Sequence, residues 1–304
     1  MVQILELFGG IGSPRVALRN LGIETKSIDY VEVDQKAVNS YNAMFAQDLN
    51  YKTQSVVNWN LKADFLIHGS PCQDVSIAGK KLGADQGSGT RSSLMWETLN
   101  IVKQMGSWRP RVVIWENVKG VLHKQMRANF SKYLQQMQAL GYSNSFEVLD
   151  ARDFGLPQKR NRVFTVSVLQ SEGFNFNILR HRKMVDIREF LEINVSDDYI
   201  IKSPSMLSRL PGASNSKFGG RLTPIDQWSY TITTKQNRCP NSGVVHVGND
   251  HYRLLTEREC WRLQGYSDED YDAAATVNGR TALYKQAGNS IPVGIFESLF
   301  EVLI

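Results

Sequence analysis

Two periods of hydrophobic residues alternate along the first 170 positions, and their succession predicts strands interleaved with helices. Residues 3–8 read as a strand. Gly9-Gly10-Ile11-Gly12 follows at once, and then Pro14, suited to the first turn of a helix through Val16, Leu18 and Leu21. Residues 24–33 form a second strand, and Asp34 can cap a helix through Val38, Tyr41, Met44 and Phe45. The pattern continues with a strand at 64–68, a helix over about 91–105, a strand at 111–115, and a helix over about 125–140 closed by Gly141. Strands that alternate with helices predict an α/β fold with a mainly parallel sheet and helices on both faces. Only a loop separates the strand-like runs 145–150 and 162–168, too short for a crossover helix, so the sheet should be mixed, with one antiparallel strand at its edge.

Past residue 180 the periodicity weakens. Order returns near 254–265, where Thr256 followed by Glu259 is a capping box, and Pro292 to Ile304 carries one strongly apolar helical face that needs a core to pack on. The expected organisation is a first domain over 1–179 completed by 276–304, with a second over 180–275 whose irregular core spans about 180–250. That core is rich in Ser, Asn, Gly and Thr. From Lys202 to Arg238 it holds Lys202, Arg209, Lys217, Arg221, Lys235 and Arg238 against the single acid Asp226, so much of the net charge of +5 is concentrated there. A solvated irregular surface would have this composition too, and so would a surface for a polyanion.

The 304 residues are 42% hydrophobic and 21% charged, a globular composition without a run long enough to cross a membrane or an evident secretory signal. A soluble, cytoplasmic protein is the expectation. Three cysteines, at 72, 239 and 260, match no metal-binding spacing and no even disulfide set, so no metal is expected and a lone thiol can stay reduced.

Chemistry is concentrated at predicted strand ends. Cys72, in Gly69-Ser70-Pro71-Cys72-Gln73, follows the strand at 64–68, and Glu116, in Glu116-Asn117-Val118, follows the strand at 111–115. Arg160 and Arg162 stand at the start of the run 162–168. A thiol, an acid and an arginine can therefore converge at the carboxyl edge of the sheet, where open α/β folds bind ligands. Taken singly, Cys72 would more often be an inert buried thiol and Glu116 a surface acid. The glycine turn, together with Glu32 twenty residues after Gly12, suggests a nucleoside cofactor. A hydride-transfer enzyme has no evident use for a Pro-Cys nucleophile beside an acid, whereas methyl transfer from S-adenosylmethionine to an unreactive ring carbon does.

These motifs, in this order, resemble the cytosine-C5 DNA methyltransferases over nearly the full length. Phe8-Gly9-Gly10-Ile11-Gly12 is similar to that family's cofactor loop, the Pro-Cys segment to its nucleophile loop, and Glu116-Asn117-Val118 and Gln158-Lys159-Arg160-Asn161-Arg162 to its acid and arginine motifs. The stretch from Arg253 to Tyr266 and Gln286-Ala287-Gly288-Asn289-Ser290-Ile291-Pro292 resemble its last two blocks. Glu6 and Ser13 depart from the family's usual Asp and glycine, and Ser55 stands near the place of the acid that contacts adenine, with Asp64 following later.

The resemblance implies a Rossmann-like methyltransferase fold with a small irregular target-recognition domain, and an enzyme that transfers a methyl group from S-adenosylmethionine, leaving S-adenosylhomocysteine, to C5 of a flipped cytosine in double-stranded DNA. It assigns catalysis to Cys72, Glu116, Arg160 and Arg162. Cofactor contacts fall to Phe8, Gly10, Gly12, Glu32, Asp64, Pro71, Asn289 and Ser290, and DNA contacts to Gln73, Ser76, Arg91, Thr231, Thr233 and Arg238. The glycine-rich polar stretch 79–92 suits a loop closing on the flipped base. The expected enzyme is monomeric and can be paired with a restriction endonuclease. The rivals are a tRNA cytosine methyltransferase and a DNA-binding module without catalysis.

Overall fold

In the computed structural model, which describes residues 1–47, 50–57, 62–70, 91–210, 222–249 and 251–304, six strands form one sheet in the order β2-β1-β3-β4-β7-β5. β1 (Val2–Leu7) lies parallel between β2 (Thr25–Val31) and β3 (Phe65–His68), and β4 (Val112–Val118) continues in the same direction. β7 (Asn161–Leu169) runs antiparallel to both β4 and β5 (Tyr142–Asp150). The mixed, mainly parallel α/β sheet is as expected, but its antiparallel strand stands one place in from the edge. Burial explains the order: Val163 to Ser167 of β7 are all buried and need a neighbour on each side, whereas β5 leaves Phe146 and Glu147 exposed.

Helices cover both faces. Strand residues alternate between two apolar clusters: Ile4, Phe65, Ile67, Val112 and Ile114 point one way, and Leu5, Leu66, Val113 and Trp115 the other. The first cluster packs against α1 (Ser13–Asn20), α2 (Gln35–Met44), α6 (Glu257–Arg262), α8 (Arg280–Asn289) and α9 (Val293–Leu303), and the second against α3 (Met95–Gln104) and α4 (Lys124–Ala139). Asp34 caps α2 by accepting from the Lys36 N–H, and Thr256 and Glu259 complete the capping box of α6. The apolar face of α9 lies along α1, so the end of the chain completes the core begun by its start.

Between residues 200 and 254 lies a separate small core of Ile201, Leu210, Leu222 and Val244. It includes α5 (Pro204–Leu207), and the hairpin of β9 (Val245–Gly248) and β10 (His251–Arg253) belongs to the same stretch. Cys260, Trp261, Leu263 and Tyr266, together with Ala274 of α7 (Asp268–Ala275), belong instead to the large core. β8 (Ser229–Tyr230) pairs in parallel with β6 (Gln158–Lys159), joining the two parts.

Phe296 is fully buried between the rings of Phe164 and Phe300. Phe296→Ala should lower the unfolding free energy by about 3–5 kcal/mol in urea titration. A loss under about 1 kcal/mol would show that α9 does not close the core.

Candidate active site

Register brings the site together. Leu7 pairs with Val31 and His68, and His68 with Trp115, so that Phe8, Glu32, Gly69 and Glu116 leave neighbouring strands at one edge. Arg162 joins them, since it pairs with Val118 at the start of the antiparallel β7.

The chain turns sharply after β1, with φ of 56° at Phe8, 55° at Gly10 and 73° at Gly12. A side chain at Gly12 would stand 2.6 Å from the Tyr41 ring, while one at Gly10 would meet nothing within 4 Å. Gly10 thus leaves room for a ligand to approach the turn closely. Glu32 Oε2 accepts from the Gly10 N–H at 3.0 Å and Oε1 from the N–H groups of Val33 and Asp34, which holds the carboxylate against the turn. Tyr30, stacked on Tyr41, donates its hydroxyl to the Gly10 carbonyl.

Below the turn Glu6 is 1% exposed. Its Oε2 accepts from the Tyr41 hydroxyl at 2.6 Å, while Oε1 has no hydrogen-bond partner among the described residues. Burial pushes this carboxyl up to about 7, against the Tyr41 hydrogen bond and the charge of Arg15. On the opposite wall Ser13, Tyr266 and Ser290 close a triangle of hydroxyl contacts at 2.7, 2.8 and 3.0 Å. Ser13 and Ser290 line the same cleft as Gly10, Ile67, Gly69, Glu116 and Asn289.

Glu116 is buried with one oxygen 3.1 Å from Arg162 Nε. Burial raises its carboxyl above the usual range, opposed by the charges of Arg162 and Arg160. Its Oε2 lies 3.6 Å from where a side chain on Gly69 would begin, so the acid stands against the strand end that leads to Cys72. That strand end is held in place. Trp115 Nε1 donates to Ser70 Oγ at 3.0 Å, Asn117 Nδ2 approaches the same residue, and the neutral His68 ring lies parallel to Trp115 and contacts the Tyr133 hydroxyl. Pro71, Cys72, Gln73 and Ser76 lie outside the described residues, as do 79–90 of the proposed loop. Arg91 opens the short turn Arg91–Leu94.

Arg160 does not share the Arg162 position: its guanidinium is buried on the carbonyls of Ile232, Gly288 and Ser290. Asp64 precedes β3 and accepts from the Gln3 N–H at the start of β1, placing it at the amino edge, a strand length from the cleft. Thr231 donates to the Lys159 carbonyl, so it is fastened beside the arginine motif, with Thr233 following and Arg238 exposed beyond. Tyr30, Tyr41, Ser70 and Tyr266 were not singled out by sequence reasoning, because each supports the site rather than carrying its chemistry. Among the described residues no cluster of three or more His, Cys, Asp or Glu could hold a metal ion, and no helix is long and apolar enough to cross a membrane.

The model of the C-5 cytosine-specific DNA methylases matches residues 2–304. The type II methyltransferase M2.ScrFI of Lactococcus lactis subsp. cremoris is 31% identical, covering 100% of this chain and 99% of that protein. M.Bsp6I, from a Bacillus species, is also 31% identical, over 99% of this chain and 98% of its own. Among solved structures, the S. pombe Dnmt2 methyltransferase superposes with a TM-score of 0.78 at 19% identity, covering 100% of this chain and 98% of that one, a likeness of fold. The chain belongs to the C-5 cytosine-specific DNA methylases. Its reaction is that of a DNA (cytosine-5)-methyltransferase, EC 2.1.1.37, and the family's methyl donor is S-adenosylmethionine.

The state of Glu6 can be tested by linkage. Its folded pKa of about 7 exceeds the ordinary 4.5, so this group costs no stability below pH 4.5, and stability falls as pH rises through 7. Relative to Glu6→Gln, the wild type should lose about 3 kcal/mol of unfolding free energy between pH 4.5 and 8. Parallel pH profiles for the two proteins would refute a buried acid at this position.

Proposed function

We propose that methylation proceeds through a covalent Cys72–C6 adduct on a cytosine turned out of duplex DNA. The observation that carries this reading is the buried Glu116–Arg162 pair, set against the end of β3 beside the cleft of the glycine turn.

The cleft fits S-adenosylmethionine on this chain's own chemistry. Gly10 leaves room for a ligand to approach the turn closely, Glu32 presents a carboxylate where a second-strand acid can accept from ribose hydroxyls, and Phe8, Gly12, Asn289 and Ser290 form or flank the walls. When bound, the cofactor supplies a methyl group on a sulfonium.

Attack on C6 must come perpendicular to the ring, so the nucleotide leaves the stack at a cost of a few kcal/mol. Cys72, as thiolate, forms the S–C6 bond and sends electron density to C5. Glu116, whose burial favours the protonated form, donates to N3 as charge develops there, and Arg162 holds the carboxyl group and the base at O2. C5 then takes the methyl group. Loss of the C5 proton to water, return of the N3 proton to Glu116 and departure of Cys72 as thiolate restore the aromatic ring.

DNA contacts are assigned to Gln73, Ser76, Arg91, Thr231, Thr233 and Arg238. Target choice belongs to the part with the small core between 200 and 254, while 1–179 and the C-terminal helices form the catalytic and cofactor-binding domain. The full-length likeness to type II methyltransferases favours DNA over tRNA as substrate and fits pairing with a restriction endonuclease.

Cys72→Ser should abolish methyl transfer and the trapping of 5-fluorocytosine DNA, while leaving S-adenosylhomocysteine affinity within about twofold. Retained trapping would move the nucleophile elsewhere. Glu32→Ala should weaken that affinity by about 10- to 100-fold in calorimetry, the loss of a charged hydrogen bond. An unchanged affinity would remove Glu32 from the ribose site.

A further inference from the structure

Arg160 stands where three otherwise separate segments meet. It is 2% exposed between β6 and β7, and its Nη1 donates to the carbonyl of Ile232 at 2.9 Å. Its Nη2 donates to the carbonyls of Gly288 and Ser290 at 3.0 and 2.7 Å. One side chain therefore spans Thr231-Ile232-Thr233, the element assigned to DNA, and Gly288-Asn289-Ser290, which lines the cofactor cleft.

The surroundings leave this junction little freedom. Gln158, fully buried two residues earlier, accepts from the Ile232 N–H and donates to the Leu263 carbonyl. Gly288 meets the strap from the other side: a side chain there would lie 2.3 Å from the Thr234 nitrogen and 2.4 Å from the Thr233 carbonyl carbon. Ser290 continues the chain of contacts, because its hydroxyl meets Ser13 and Tyr266 beside the glycine turn. A continuous polar path thus leads from Thr231 and Thr233 through Arg160 and Ser290 to the cofactor loop.

We propose that Arg160 is a positioning residue that couples occupancy of the DNA element at 231–233 to occupancy of the cofactor cleft at 288–290. This rests on the assignment of those two segments above. An ångström of movement at Ile232 would break its bond to the guanidinium or pull on the carbonyls of Gly288 and Ser290, so each ligand orders part of the other's site. Such coupling is reciprocal. Lysine can replace the charge but cannot span three carbonyls with a rigid planar fork.

The test uses the full chain with S-adenosylhomocysteine and a duplex of the sequence that bisulfite sequencing shows to be methylated in an expressing host. Affinities for each are measured alone and with the other saturating. In the wild type each ligand should tighten the other by the same factor, about 5- to 150-fold. Arg160→Lys should reduce that factor to below about 2 while each separate affinity stays within a few-fold. Arg160→Gln keeps a planar donor but reaches fewer of the three carbonyls, should give the same loss, and keeps the proposal open to test if the lysine variant does not fold. Independent binding by the wild type, or undiminished coupling in both variants, overturns the proposal. Failure of the wild type to bind S-adenosylhomocysteine at all would instead sink the cofactor assignment beneath it.

Discussion

The active site depends first on the register of the parallel strands. Backbone hydrogen bonding sets Leu7 level with Val31 and His68, and His68 level with Trp115, so the residues that follow reach one edge together. Nothing in the chemistry of Glu32 or Glu116 requires them to be neighbours. A slip of one residue would turn alternate side chains onto the wrong face, and because each face carries its own apolar cluster, the core resists that slip. Packing of Ile4 against one layer and Leu5 against the other thereby helps to position carboxylates they never touch.

At that edge the protein retains polar groups that burial disfavours in their charged form. Glu6 and Glu116 both have raised carboxyls, and each is answered by one partner more than by solvent: a Tyr41 hydroxyl in one case, an Arg162 guanidinium in the other. Two acids in one cleft therefore differ in the balance between burial and compensation, which is how a single fold can give two carboxyl groups different tasks.

Much of this was legible in the sequence. The first four strands and their helices were readable because glycine turns, a proline and Asp34 punctuate them, and the convergence of Glu116 with Arg162 follows from strand ends alone. The position of β7 inside the sheet was not, since two adjacent strand-like runs announce a hairpin without saying which one faces outward. α7 carries a signal legible in the sequence, Ser267 followed by Asp270. α8 had none to offer: Ala282, Leu283, Tyr284, Gln286 and Ala287 are all buried, so no single apolar stripe marks it. The setting of Arg160 was not legible, because sequence spacing puts it beside Arg162 and says nothing of the carbonyls that hold it. Asp64 looked suitable by type, but it sits at the beginning of its strand rather than the end.

Among the described residues, the small core around Ile201, Leu210, Leu222 and Val244 is too slight to order its own surroundings. That region is fastened to the larger body through β6, Gln158 and Arg160 instead. Its outer surface is consequently relieved of structural duty, and substitutions there leave the scaffold intact. On the proposed assignment of target choice to this region, a lineage acquires a new target by drift in the loops, without refolding the enzyme that acts on it.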